Sequence, residues 1–256
     1  MTKPLILVTN DDGITSPGIK ALVEVAQEFG EVVVVAPDKA QSGMGHAITL
    51  EDTLRKKSVN LFGDIEAYSC TGTPVDCVKL AVNVFLDRNP DLIISGINHG
   101  SNASVNVIYS GTMSAAVEGA MEHIPSIGFS LLDHSIDANF ETSKKYVAIV
   151  IKSTLDNGLP EGVCLNVNFP KLGEAEIAGI KICRQCNGNW TEEFDARKAP
   201  SGKEYYWLTG VFMNYEPEAT DTDIWALDNG FISIVPVHSD MTAYNTIDTL
   251  KNWKLG

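Results

Sequence analysis

The chain is expected to fold as an α/β protein, with a mostly parallel sheet, helices on both faces and a β-rich C-terminal accessory arm. Three observations predict this. Short apolar runs such as Leu5-Ile6-Leu7-Val8, Val32 to Ala36 and Leu92-Ile93-Ile94 end abruptly in polar residues, as strands buried on both faces do. Segments with helical spacing separate those runs, which is the rhythm of βαβ units. From about Ile180 the alternation gives way to less regular, strand-like stretches.

Taken in order, Leu5 to Thr9 reads as a buried strand. Ile19, Leu22, Val25, Ala26 and Phe29 then share one helical face, with Pro17 near a suitable start. Glu31 to Ala36 is a second strand, stopped by Pro37. Ala47 to Ser69 interrupts the series with short strand-like pieces expected to lie beside the main sheet. Thr73-Pro74-Val75-Asp76 has the form of a helix start, with Thr73 as cap and Pro74 in the first turn, and Val78 to Val84 continues it. Strand Leu92 to Ser95, helix Thr112 to Glu122 and strand Ser126 to Ser130 follow, then a helix over Asn139 to Leu155 and a strand over Val163 to Val167. Further strands are expected near Tyr205 to Val211 and Phe231 to Val235. Neither repeats nor linkers break the chain, so one domain over 1–256 is expected, with its core at about 1–180 and accessory elements at about 181–256.

Composition narrows the function. The 256 residues are 44% hydrophobic and 20% charged, ordinary for a globular protein. With 19 Lys and Arg against 33 Asp and Glu, the formal net charge is −14, a field that repels long polyanions, so polymeric nucleic acid is not the expected partner. An acidic protein that handles a small anion needs a local cation. No apolar run approaches the roughly 18 to 20 residues of a membrane span, and the N-terminus lacks a signal-peptide layout, so a cytoplasmic location is expected. Five cysteines, an odd number, argue for reduced thiols; Cys183-Arg-Gln-Cys186 has no second pair or nearby His to complete a zinc site.

Three loops leave a buried strand and turn polar and Gly-rich at once. They carry Asn10-Asp11-Asp12-Gly13, Gln41-Ser42-Gly43-Met44-Gly45-His46 and Gly96-Ile97-Asn98-His99-Gly100-Ser101-Asn102. In a parallel sheet all three emerge at the carboxyl edge, where ligands bind. Asp11 and Asp12 side by side repel each other unless a cation lies near, although Asn-Asp-Asp-Gly is also an ordinary turn. The donors gathered there, two carboxylates with Ser42 and Asn98, are hard oxygens that suit Mg²⁺, Mn²⁺ or Ca²⁺. Tyr109-Ser110-Gly111-Thr112 then opens a helix, which is either a plain Ser/Thr cap or a phosphate cradle made of backbone N–H groups. Metal beside cradle suggests hydrolysis of a phosphate ester by a metal-activated water. The G-x-G-x-x-G, G-x-x-x-x-G-K-[ST] and G-x-S-x-G patterns are missing where they would be needed. His46 and His99 lie in the converging loops and are candidates to orient a ligand or donate a proton; His123, His134 and His238 are read as surface or structural.

These motifs in this order resemble the SurE family of survival proteins, which are metal-dependent nucleotidases. The matching segments are Ile6 to Gly13, Val35-Ala-Pro37 with Gln41-Ser-Gly43, Thr71 to Cys77, Ser95 to Gly100, and Tyr109 to Thr112 with Glu118-Gly119, with a weaker echo at Thr220 to Asp223 and Ser233 to Pro236. The resemblance implies a Rossmann-like fold and one divalent ion per subunit, Mg²⁺ or Mn²⁺ with Ca²⁺ as a possible occupant in crystals, held by Asp11, Asp12, Ser42 and Asn98. It implies hydrolysis of nucleoside 5′- and 3′-monophosphates, with Asp11 and Asp12 at the catalytic centre and Asn102, Ser110, Gly111 and Thr112 on the phosphate. It also implies a homodimer or homotetramer with exchanged C-terminal elements. One departure is Asn102-Ala-Ser-Val-Asn-Val107, where many members read Asn-Leu-Gly-x-Asp, and it bears on substrate preference. Two alternatives stay open: a hydrolase of short polyphosphate or another phosphate ester, and a nucleotide-binding regulator without catalysis.

Overall fold

The computed structural model describes residues 3–135 and 137–255, Glu192 by its backbone alone. Strand β1 (Leu5–Thr9) pairs in parallel with β2 (Glu31–Pro37) on one side and with β5 (Leu92–His99) on the other. Its alternation decides the layering. Ile6 and Val8 pack with helices α1 (Pro17–Ala26) and α5 (Glu141–Asn157), whereas Leu5 and Leu7 pack with α2 (Pro74–Leu80) and α4 (Gly111–Met121). Each central strand therefore buries both faces, and the continuous apolar runs of the sequence are its consequence.

The nine-stranded sheet has the order β3-β4-β2-β1-β5-β6-β7-β11-β8, with β3 (Lys56–Ser58), β4 (Glu66–Cys70), β6 (Ser126–Leu131), β7 (Val163–Phe169), β8 (Gly179–Ile182) and β11 (Phe231–His238) completing it. The stretch expected beside the sheet is part of it. Strand β4 pairs in parallel with β2 from Val33↔Glu66 to Pro37↔Cys70, and β3 folds back as the antiparallel edge. Its polar sequence hid it, because an edge strand exposes the face that central strands bury.

The region after residue 180 divides. Strand β11 joins the main sheet, antiparallel to β7 and parallel to β8, and buries Ile232 and Ile234 in the α1/α5 core. Strands β9 (Gly188–Lys198) and β10 (Glu204–Asn214) instead form a two-stranded ribbon that exposes Phe194, Tyr206, Trp207 and Leu208. Three short helices remain: α3 (Asn106–Tyr109), α6 (Asp223–Asp228) and α7 (Tyr244–Lys251), the last leaving Tyr244, Ile247 and Leu250 exposed. Thr73 and Asp76 form a full capping box at the start of α2, as the sequence predicts, but the α-helix yields at Ala81 to a π-turn through Phe85. Since β1 sits between β2 and β5, the chain reverses its lateral direction there, and the loops after β1 and β5 flank the resulting crevice.

Candidate active site

At that crevice lies a cavity of about 410 Å³ lined by Asp11, Ser42, Asn98, Asn102 and Ser110, five of the residues singled out in sequence. The other three adjoin Asp11 or the cavity wall. Asp12 accepts the backbone N–H of His99 at Oδ2 (3.1 Å), and Thr112 donates its hydroxyl to Asp11 Oδ1 (2.5 Å). Gly111 lies so close to Asp11 that a Cβ there would come within 2.7 Å of Asp11 Cβ.

Local backbone bonds create this convergence. The N–H of Gln41 donates to the carbonyl of Asp11 (2.7 Å), and that of Ile14 to Pro37 (2.9 Å), which zips the Ser42 loop onto the aspartate loop. Gly13 permits the approach: its φ is +92°, and a Cβ would meet the carbonyl carbon of Lys39 at 3.2 Å. Asn10 ties the turn to α1 by donating from Nδ2 to the Gly13 carbonyl and to the capping Ser16 hydroxyl, 2.9 Å each. In β5 the register with β6 slips between Ser95 and Asn98, a bulge that re-aims the strand end where Asn98 sits. Asn98 Nδ2 donates to the Gly100 carbonyl (2.9 Å), which leaves its Oδ1 as the available acceptor.

Asn102 is held by a chain of amides. Its N–H donates to Asn168 Oδ1 (2.8 Å), its Nδ2 to Ser130 Oγ (2.7 Å), and its carbonyl accepts from Asn166 Nδ2 (2.8 Å). Asn168 and Asn166 are themselves joined at 2.8 Å. These residues were not singled out from the sequence. Their signal was the spacing Asn166-Val167-Asn168: two amides on one side of an otherwise apolar strand need a polar partner between sheet and loop.

Electrostatics sets the chemistry. Burial, reinforced by the neighbouring Asp12, pushes the Asp11 carboxyl up from 3.8 to about 6 against the bonds from Thr112. Burial also pushes Asp12 upward, opposed by His99. Neither carboxylate takes part in an ion pair among the described residues. Two adjoining charges of one sign, one buried and one half-buried, are relieved by a cation. Among the described residues no three His, Cys, Asp or Glu side chains gather as a metal cluster, so the donors are two carboxylates and neutral oxygens, Ser42 Oγ and Asn98 Oδ1. That set fits a hard divalent ion. Asn10 Oδ1, next in sequence, is buried with no hydrogen-bond partner.

The histidines redistribute. His99 stays at the cavity wall, its ring edge-on to Phe140 with centroids 5.1 Å apart. His46 turns instead to Glu118 of α4, Nε2 to Oε2 at 2.8 Å, and Lys79 holds the other oxygen of that buried carboxylate at 2.5 Å. His134 is exposed, in keeping with the surface reading, and its ring also lines the cavity, seated where a Cβ on Gly100 would be 2.2 Å away. His123 pairs with the exposed Glu161, and His238 caps a turn at Asp240. All five cysteines are free and buried, Cys183 and Cys186 included.

The C-terminal region also reaches the site. Trp190 of the ribbon lines the cavity and donates from Nε1 to Asn106 Oδ1 (2.8 Å). Asp223, fully buried at the start of α6, accepts from the N–H groups of Ser104 (2.8 Å) and Cys186 (2.9 Å), clamping the Asn102 loop to the root of the ribbon.

Comparison with known proteins agrees with this architecture. A family model described as "Survival protein SurE" matches residues 6–192. A protein of Christiangramia forsetii named 5′-nucleotidase SurE is 61% identical over 255 residues, 99% of this chain and 98% of that one. Its namesake from Flavobacterium psychrophilum is 60% identical over 256 residues, 100% of this chain and 99% of the relative. The crystal structure of the SurE protein from Aquifex aeolicus superposes with a TM-score of 0.84 at 40% identity, covering 97% of this chain and 98% of the other. With the model spanning more than half the sequence and relatives matching end to end, the chain belongs to the SurE family.

Proposed function

We propose that this protein is a divalent-metal-dependent nucleotidase that hydrolyses nucleoside 5′- and 3′-monophosphates to nucleoside and phosphate. The observation that carries the reading is the buried Asp11 with the half-buried Asp12 beside it, neither in an ion pair among the described residues, and Asp11 sharing one cavity with Ser42 and Asn98. The relatives named as 5′-nucleotidases support it. Asp11 and Asp12 bind the ion, Mg²⁺ or Mn²⁺, and Ser42 Oγ and Asn98 Oδ1 complete its protein ligands. A divalent ion there supplies charge neutralisation at the phosphoryl oxygens and activation of the attacking water. Asn102 and Ser110 would border the phosphate from the cavity wall, and Ser110, the N-cap of α4, sets the positive end of that helix beside it. Thr112 serves the phosphate through Asp11, to which its hydroxyl is committed.

The exposed apolar surfaces of the ribbon and of α7 are assigned to contacts between copies in a homodimer or homotetramer. Five free thiols support a reducing, cytoplasmic compartment.

The decisive experiment measures phosphate release from AMP by chelator-treated protein as Mn²⁺ or Mg²⁺ is restored. Activity should return with the ion, and Asp11→Asn should abolish it while circular dichroism stays native. Full activity in Asp11→Asn would remove its metal role. AMP binding without turnover at saturating Mn²⁺ would favour a regulator, and faster release from short polyphosphate would favour the other hydrolase.

A further inference from the structure

A second cavity, of about 560 Å³, opens directly beside the oxygen-lined one, bounded by Gly43, Tyr109, Trp190, Leu208, Thr209 and Gly210. Gly43, Tyr109 and Trp190 border both, so the two spaces are adjoining halves of one cleft. Their chemistry is opposite. The first half offers carboxylate, hydroxyl and amide groups, whereas the second has no acidic or basic side chain and two aromatic rings at its mouth. Tyr109 is 52% and Trp190 39% exposed, high for large aromatic side chains.

The indole of Trp190 is nevertheless held in place. Its Nε1 donates to Asn106, the first residue of α3 just after the loop that carries Asn102, and Phe212, its cross-strand partner, meets it edge-on with centroids 5.9 Å apart. A fixed, half-exposed aromatic plane next to an anion site is suited to receive the flat face of a ligand whose other end is charged.

We infer that this second half is the nucleobase subsite, in which the base of a nucleoside monophosphate stacks on Trp190 and Tyr109 while its phosphate occupies the Asp11 side. The inference rests on the nucleotidase reading and deepens it. Recognition is by the ring face, because among the described lining residues Trp190 Nε1 is committed to Asn106 and the Thr209 hydroxyl donates to the Glu193 carbonyl (3.0 Å), which leaves the Tyr109 hydroxyl as the remaining side-chain donor. Every base has such a face, so AMP, GMP, UMP and CMP should be turned over with kcat/KM values within about tenfold of one another.

The test compares AMP with ribose 5-phosphate, which has the same phosphate ester and no base, using the full chain with saturating Mn²⁺. Trp190→Ala and Tyr109→Ala should each lower the ratio of kcat/KM for AMP to that for ribose 5-phosphate by about tenfold, through KM, and Trp190→Phe should restore most of it. Dissociation constants for the same two ligands, measured by calorimetry, give the same ratio whether or not turnover occurs. An unchanged ratio in both alanine variants, or an equal fall for both substrates accompanied by a changed oligomer size on gel filtration, would overturn the subsite and leave the cavity as a contact between copies. Wild-type protein that binds AMP more tightly than ribose 5-phosphate but hydrolyses neither would overturn the nucleotidase reading while keeping the subsite.

Discussion

Thr112 donates its hydroxyl hydrogen to Asp11 Oδ1 across 2.5 Å, and both residues are buried. The first turn of α4 therefore orients a carboxylate at the start of the first strand-to-helix loop, joining positions 101 residues apart in sequence.

Removing that donor should loosen Asp11 without removing the carboxylate. Thr112→Val, close in shape, is expected to weaken Mn²⁺ binding by about 10- to 100-fold, the usual cost of losing a partner that orients a metal ligand. Thr112→Ser should retain most of the affinity. Calorimetric titration of Mn²⁺ into the metal-free variants measures both.

Gly111 makes a steric prediction. A methyl group there would sit 2.7 Å from Asp11 Cβ and 3.0 Å from its Oδ2, so the carboxylate must move. Overpacking of this buried turn should cost Gly111→Ala about 1–3 kcal/mol of folding stability, which leaves the protein folded. Its kcat/KM for AMP should fall at least about tenfold in the folded fraction, a loss that melting curves and kinetics together separate from unfolding.

The raised Asp11 carboxyl predicts a pH dependence. Folding of the metal-free protein lifts it from 3.8 to about 6, so the folded state holds this proton more tightly than the unfolded chain. The stability that the protonated group contributes is complete below the unfolded value and is lost as pH rises through about 6. Metal-free wild type should thus match Asp11→Asn near pH 4 and be less stable at pH 7.5, by on the order of 2 kcal/mol. Because proton and ion compete, Mn²⁺ affinity of the wild type should fall about tenfold per pH unit below about 6. Urea titrations at both pH values, with and without Mn²⁺, test the sign.

Asp223 predicts a loss of stability that also reaches the site. Its carboxylate accepts from Ser104, Cys186 and Ile224, and Asp223→Ala would strand those N–H groups in a buried environment. A destabilisation of about 3 kcal/mol is expected by urea denaturation. Activity should fall beyond what the unfolded fraction explains, since the Asn102 loop loses its anchor.

The contact between Trp190 and Asn106 shows where sequence reading stops. Asp11, Ser42 and Asn98 were legible because each follows a recognisable buried strand, and parallel topology alone sends all three loops to one edge. Trp190 follows no such strand. It lies in the antiparallel ribbon, 84 residues from Asn106, and nothing in local periodicity brings the two together. That the exposed His134 also borders the cavity was hidden for the same reason: its place depends on Gly100, whose φ of +103° and missing side chain open the space for the ring. Strand β4 is expected beside the sheet rather than in it because its position comes from pairing with β2, while its own residues are half polar.

The order of residues by itself determined the alternating core, the capped starts of α1 and α2, and the cluster of hard oxygen donors, because burial periodicity and turn chemistry act over a few neighbouring positions. Only the tertiary structure decided which hydroxyls remain free, how the Asn102–Asn168–Asn166 chain holds its loop, and that the ribbon completes the cleft. Those outcomes depend on packing between distant segments, where a single hydrogen bond is worth about 1 kcal/mol net and only the folded chain brings its partners within reach.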